Sequence, residues 1–169
     1  WMVVDAAGKF VTARKQPRMV LIRVEQAADS LLLAAPGMPD LNLRVAAQET
    51  RLAATVWDST VMAMPASEEA DDWISRYLGS SARFVHMDPD CQRMIDTGFA
   101  RAGEEVSFAD GFPMLLISQA SLDGLNRRLA EPVGMLRFRP SLVVSGITDH
   151  EEDGWQSIRI GSVRFDVVK

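Results

Sequence analysis

Pro65-Ala66-Ser67-Glu68-Glu69-Ala70-Asp71-Asp72-Trp73-Ile74-Ser75-Arg76-Tyr77-Leu78-Gly79 decides the fold class, because it reads as one amphipathic helix set among strands. Ser67 is an N-cap type, and the acids at 68, 69, 71 and 72 put negative charge at the positive end of a helix dipole. Ala70, Trp73, Ile74, Tyr77 and Leu78 repeat at the spacing of a single buried face. Gly79 stands where a left-handed stop is expected. Directly after it, Ala82-Arg83-Phe84-Val85-His86-Met87 reads as a strand.

Upstream, the chain reads as β. Trp1-Met2-Val3-Val4 and Lys9-Phe10-Val11-Thr12 flank a turn containing Gly8 and predict a hairpin. Residues 18–24, rich in aliphatic and β-branched side chains, predict a strand. Leu31-Leu32-Leu33, the alternating Leu41, Leu43 and Val45, residues 52–57 and residues 61–64 predict four more. Downstream, residues 88–107 are polar, with Pro89, Gly98 and Gly103, and read as a linker. Met114-Leu115-Leu116-Ile117 reads as a buried strand. Ser118 then caps a second helix, with Leu122, Leu125 and Leu129 on one side. Residues 141–145 predict a strand, and residues 156–160 and 163–168 a hairpin around Gly161-Ser162. The class is α+β and β-rich, with about a dozen strands and two helices.

Composition narrows the function classes. With 169 residues, 47% hydrophobic and 24% charged, the chain has ample material for a core, which excludes disorder as the main state. No apolar run approaches the length of a membrane span. The net charge of -5 and the scattered cations argue against nucleic acid as a partner. A single cysteine, Cys91, excludes an internal disulfide and CxxC zinc sites, and fits a reducing, cytoplasmic compartment. The chain opens at Trp1 inside a strand-like run and closes at Lys169 after another, so it reads as a fragment truncated at both ends.

Few residues offer chemistry on their own. Cys91 has Asp88 and Asp90 beside it, which disfavours a thiolate, and reads as an inert loop thiol. His86 sits in a strand and reads as structural. Asp149-His150-Glu151-Glu152-Asp153 matches no calcium loop and reads as a solvated acidic loop. There is no Gly-x-Ser-x-Gly elbow, no phosphate loop and no dinucleotide fingerprint. Two basic clusters remain, Arg14-Lys15 with Arg18, and Arg137-Phe138-Arg139-Pro140-Ser141. Either an anion site or an ordinary solvated corner would account for them, since arginine forks suit phosphate and carboxylate. Arg139 precedes a proline, which predicts an extended backbone there.

These clusters belong to an ordered series of motifs. Trp1-Met2-Val3-Val4-Asp5, Phe10-Val11-Thr12-Ala13-Arg14, Pro17-Arg18 and Ala35-Pro36-Gly37 resemble the N-terminal β-barrel domain that precedes MOSC domains. Residues 106–113, Ile117-Ser118-Gln119-Ala120-Ser121-Leu122, Phe138-Arg139-Pro140-Ser141, Val144-Ser145-Gly146 and Glu152-Asp153-Gly154-Trp155 resemble the MOSC domain itself. The chain is similar to the MOSC-domain family, in both its mitochondrial amidoxime-reducing branch and its bacterial molybdenum proteins.

The resemblance implies a MOSC N-terminal β-barrel-like domain at 1–88 and the first part of a β-barrel MOSC domain at 89–169. It implies a molybdenum pyranopterin cofactor between them. It also implies reduction of N-hydroxylated substrates (amidoximes, hydroxylamines) with electrons from a redox partner protein or a fused iron–sulfur domain. Pyridoxal phosphate binding is a further term attached to the family. Carried over by position, Arg139 matches a cofactor-contacting arginine, and Ser141 stands where relatives often have Asn. Asp110, Gly111 and Phe112 fall in a loop that lines the cofactor through backbone groups. The family's metal-ligating cysteine falls just beyond Lys169, so no residue of this chain is expected to ligate metal or to be catalytic. The rival expectation is a non-catalytic cofactor- or sulfur-carrier module of MOSC type.

Overall fold

Four strands of the first half form one sheet whose two ends are joined by backbone bonds, and three more form a second sheet. A computed structural model describes residues 1–45 and 50–168. Lys169, the expected end of the second domain, lies outside the described residues. The chain divides into two compact units, Trp1–Arg93 and Met94–Lys169.

In the first unit, β1 (Met2–Asp5), β5 (Leu52–Val56), β6 (Ser59–Pro65) and β7 (Ala82–Met87) form an antiparallel sheet in the order β1-β7-β6-β5. Residues 8–10 join its two ends. Phe10 N donates to Thr55 O at 2.9 Å, Thr55 N donates to Gly8 O at 2.8 Å, and Phe10 bridges to Val4. Gly8 is required here: its φ is +77°, and a Cβ would lie 2.5 Å from Ala53 O. The expected hairpin of β1 with residues 9–12 forms, but it is short: Asp5 N donates to Lys9 O and Val11 N to Val3 O, both at 2.8 Å, around the turn at Gly8, while the long ladder of β1 is with β7.

A second sheet, β2 (Arg23–Gln26), β3 (Leu31–Ala34) and β4 (Leu41–Leu43), supplies Leu33, Leu41 and Leu43 to the core. Between β6 and β7 in sequence runs helix α1 (Glu68–Leu78). Ser67 Oγ accepts from Ala70 N at 3.3 Å, and Gly79 ends the helix at φ 68°. Its apolar face is fully used: Trp73, Ile74 and Tyr77 are at most 2% exposed. The polar tips of the two rings are satisfied. Trp73 Nε1 donates to Pro39 O at 2.7 Å and Tyr77 Oη donates to Arg18 O at 2.9 Å.

The strand expected over residues 18–24 is instead a 3₁₀ turn at Pro17–Leu21 followed by β2. Pro17 supplies no N–H and fixes φ near the helical value, so the turn starts on it and leaves Val20 65% exposed.

The second unit is thinner. Strand β8 (Leu116–Ser118) pairs in parallel with β9 (Leu142–Val144), and β10 (Ser157–Ile160) pairs antiparallel with β11 (Val163–Asp166). Helix α2 (Gln119–Asn126) follows β8 directly. Met114 and Leu115, expected in a buried strand, precede β8 and are exposed. Leu129, expected on the helix face, lies beyond the helix and is exposed. The reason is Asn126, whose side chain donates to Val133 O at 3.0 Å and accepts from Val133 N at 2.8 Å, turning the chain away. Among the described residues no helix is long and apolar enough to cross a membrane.

Candidate functional site

The best-organised polar structure in the second unit surrounds the N-terminus of α2. Ser118 Oγ accepts from Ser121 N at 2.9 Å, so Ser118 is the N-cap. Ser121, at the position where a capping box places Glu, is too short to reach back to the N-cap N–H. Glu152 does so from 34 residues away: its carboxylate accepts from Ser118 N at 2.8 Å. The carboxyl is 8% exposed. Desolvation works to raise its pKa, but hydrogen bonding at the serine-lined start of α2, with the Ser118 N–H donating to the carboxylate, outweighs this and lowers it to about 2. Glu152 is thus a buried anion completing a capping box in trans, which corrects the reading of residues 149–153 as simply a solvated loop. The rest of that loop is engaged in local pairs. Arg127 meets Asp149 at 3.1 Å, His150 Nδ1 lies 3.1 Å from Asp153, and Glu151 accepts from Thr148 N.

Ser121 Oγ also accepts from His150 N at 2.7 Å, which ties the acidic loop to α2. His150 sits at φ 62°, in the left-handed region. Beside this tie lies a cleft of about 240 Å³. Ile117, Leu122, Leu125 and Phe138 give it apolar walls, and Ser121, Arg128 and His150 are its polar members.

The structure places the sequence-predicted residues on two strands of chain that it partly joins. Ser141 N donates to Leu115 O at 2.8 Å, and Ser141 Oγ accepts from Leu115 N at 3.3 Å. This double clamp fixes the residues before β9 against the segment just after Asp110, Gly111 and Phe112. Asp110 and Gly111 are exposed, and Phe112 packs its ring edge-on to Phe99 at 5.8 Å. Arg139 is exposed, and among the described residues its guanidinium has no hydrogen-bond or ion-pair partner. Its backbone corrects the expectation of an extended conformation. Arg139 has φ 54°, because the 3₁₀ turn Met135–Arg137 before it closes with Arg139 N donating to Leu136 O at 3.2 Å. A non-glycine residue in this region, and before proline, is strained.

Residues of the first unit are mostly occupied elsewhere. Arg18 of the first basic cluster lies 4.5 Å over the Tyr77 ring, a cation–π contact. Cys91 is half-buried and its Sγ accepts from Met62 N at 3.3 Å. His86 packs edge-on to Trp1 at 5.1 Å, and burial pushes its pKa down. Among the described residues no group of three or more His, Cys, Asp or Glu side chains is arranged to hold a metal ion.

The MOSC N-terminal beta barrel domain family matches residues 1–81, and the MOSC domain family matches residues 103–169. Mitochondrial amidoxime-reducing component 1 of Mus musculus is 35% identical over 172 residues, covering 98% of this chain and 50% of the relative. The Xenopus laevis protein of the same name is 32% identical over 173 residues, with the same coverage. Mitochondrial amidoxime reducing component 2 of Rattus norvegicus is 33% identical over 173 residues, covering 98% of this chain and 51% of the relative. This chain spans about half the length of the curated relatives it matches. With an N-terminal β-barrel domain matched ahead of a MOSC domain, in that order and over nearly all its residues, the chain belongs to the MOSC-domain family.

Proposed function

We propose that this chain is part of a longer molybdenum-dependent oxidoreductase that reduces N-hydroxylated compounds. The observation that carries this reading is the similarity along 98% of the chain to proteins named amidoxime-reducing components. The balanced reaction takes an amidoxime, two electrons and two protons to an amidine and water, with cleavage of the N–O bond. The electrons come from a redox partner protein or a fused iron–sulfur domain. The domains are proposed at 1–88 and 89–169.

The residues of the second unit fit the anionic end of a pyranopterin cofactor. Arg139 offers a guanidinium that no acid among the described residues neutralises, on a backbone conformation that costs energy to hold. Ser141 fixes the chain beside it, and the exposed residues Asp110 and Gly111, followed by Phe112, lie just before the clamped Leu115. Once bound, the cofactor supplies the two-electron redox step. Arg139 binds and orients the anion, Ser141 positions the loop, and residues 110–112 contribute backbone groups. The metal's thiolate is proposed to come from outside this chain, since Cys91 already accepts a backbone bond within the first unit.

The test is to purify the full-length protein, measure its molybdenum, and supply reduced viologen as donor with benzamidoxime or a hydroxylamine. Bound molybdenum with formation of benzamidine or amine supports the reading. Absence of molybdenum sinks the cofactor assignment, and bound molybdenum without N–O cleavage sinks the reaction.

A further inference from the structure

We propose that the open edge of β2 pairs with the same edge of a second copy of this chain, antiparallel and centred on Val24. This surface is independent of the cofactor reading, whose residues lie in the second unit.

Among the described residues the edge is open. β2 ends the order β2-β3-β4, and its ladder is with β3 alone. Ala27 N donates to Ser30 O at 2.9 Å, which sets the phase of that ladder. Hydrogen-bonded pairs alternate along an antiparallel ladder, so Arg23 and Glu25 bond β3, while the N–H and C=O groups of Val24 and Gln26 point away from the sheet. Residues 23–26 are all exposed. Val24 stands opposite Leu33, so the two side chains share a face, yet Leu33 is 2% exposed and Val24 is 56% exposed. A strand laid along β2 covers Val24 and satisfies the outward backbone groups.

Charge identifies the occupant. Arg23 and Glu25 flank Val24 and project from the opposite face, and neither has an ion-pair partner among the described residues. In a symmetric pairing centred on Val24, Val24 meets Val24 of the second copy, and each Arg23 stands opposite a Glu25. Those Arg–Glu pairs are the non-hydrogen-bonded ones, where side chains come closest. Val24 N then donates to Val24 O of the copy, and Gln26 N to Ile22 O of the copy. Ile22 is already extended, with ψ 115°.

The two adjacent symmetric registers keep the outward groups in phase but fail on charge. Centring on Arg23 sets two arginines opposite each other, and centring on Glu25 sets two glutamates, and like charges directly opposite destabilise a sheet. Edge charges ordinarily keep strands from pairing. Here the order Arg23-Val24-Glu25 blocks the neighbouring registers and favours the one centred on Val24.

The test is sedimentation velocity on the full-length protein with charge exchange. The wild type is expected to form a concentration-dependent dimer between about 10 and 300 µM, weak because a short edge buries little area. Arg23→Glu alone and Glu25→Arg alone each set like charges across the axis, and each should weaken the dimer at least about ten-fold. An equimolar mixture of the two variants restores opposite charges at both positions and should dimerise again. Both positions are exposed, so the fold is expected to persist, with circular dichroism as the check. Three results overturn the proposal: a monomer throughout this range, which leaves the edge to an extended segment of a different protein; a dimer unaffected by either variant; or a mixture no more associated than its components.

Discussion

The two units of this chain are held together by different physics. Of the twenty buried hydrophobic side chains among the described residues, eighteen lie in the first unit, and only Val106 and Leu122 lie in the second. The first unit closes a sheet on itself and packs the aromatic face of α1 into its core. The second relies on short two-stranded sheets and on polar ties, with Glu152, Ser118, Ser121 and Ser141 at their centre. Hydrophobic burial is non-directional and tolerates local change, while a buried polar network has few spare arrangements. The difference teaches that core substitutions in the first unit should act on stability, and polar substitutions in the second on geometry.

The largest effect is expected at Trp73. Trp73→Ala removes a side chain that is 2% exposed, stacks on Tyr77 at 5.7 Å and donates to Pro39 O. It should cost about 3–5 kcal/mol, read by urea or thermal unfolding. A loss under about 1 kcal/mol would show that α1 does not anchor the core.

Glu152→Gln comes next, at about 1.5–3 kcal/mol, because it weakens charge-assisted bonds to a buried carboxylate. The pH dependence has a fixed sign. The folded carboxyl titrates near 2 instead of 4.5, so its stabilisation is present above pH 4.5 and is lost as pH falls toward 2. Acid titration of the wild type should show extra destabilisation in that window, and Glu152→Gln should flatten it. Identical acid profiles for the two proteins would place Glu152 in solvent.

These two residues also mark what the sequence could and could not convey. Helix α1 was legible because its cap, its acids, its apolar period and its glycine stop are all local. The role of Glu152 was hidden because its partner lies 34 residues away, and it was surrounded by acids that read as solvated. The turn at Pro17–Leu21 was hidden by its own aliphatic residues, which resemble a strand until exposure is known. At Arg139 a reliable local rule failed. The preceding turn sets the backbone, and its demand overrides the preference of a residue before proline. The resemblance of the motifs pointed to Arg139 and Ser141, and the structure adds the clamp between Ser141 and Leu115.

A smaller effect of opposite sign is expected at that position. Arg139→Gly removes a left-handed strain and should stabilise the second unit by about 1 kcal/mol, seen as a raised melting temperature. If the same substitution lowers stability, the side chain braces the fold. The smallest effect belongs to Cys91. Cys91→Ser keeps an acceptor for Met62 N, so stability should change by under about 0.5 kcal/mol and the molybdenum content of the full-length protein should be unchanged. Loss of metal in that variant would assign the ligand to Cys91.

The central claim, that the second unit presents Arg139 to an anionic group of the molybdenum cofactor, is tested most directly by molybdenum occupancy. The full-length protein and its Arg139→Lys variant are loaded with limiting cofactor, and bound molybdenum is measured per folded protein, with circular dichroism confirming the fold. Lysine keeps the charge but loses the planar fork, so we expect unchanged folding with affinity lowered about ten-fold to a hundred-fold. Full occupancy in the variant at limiting cofactor would contradict the claim and leave Arg139 as a structural residue.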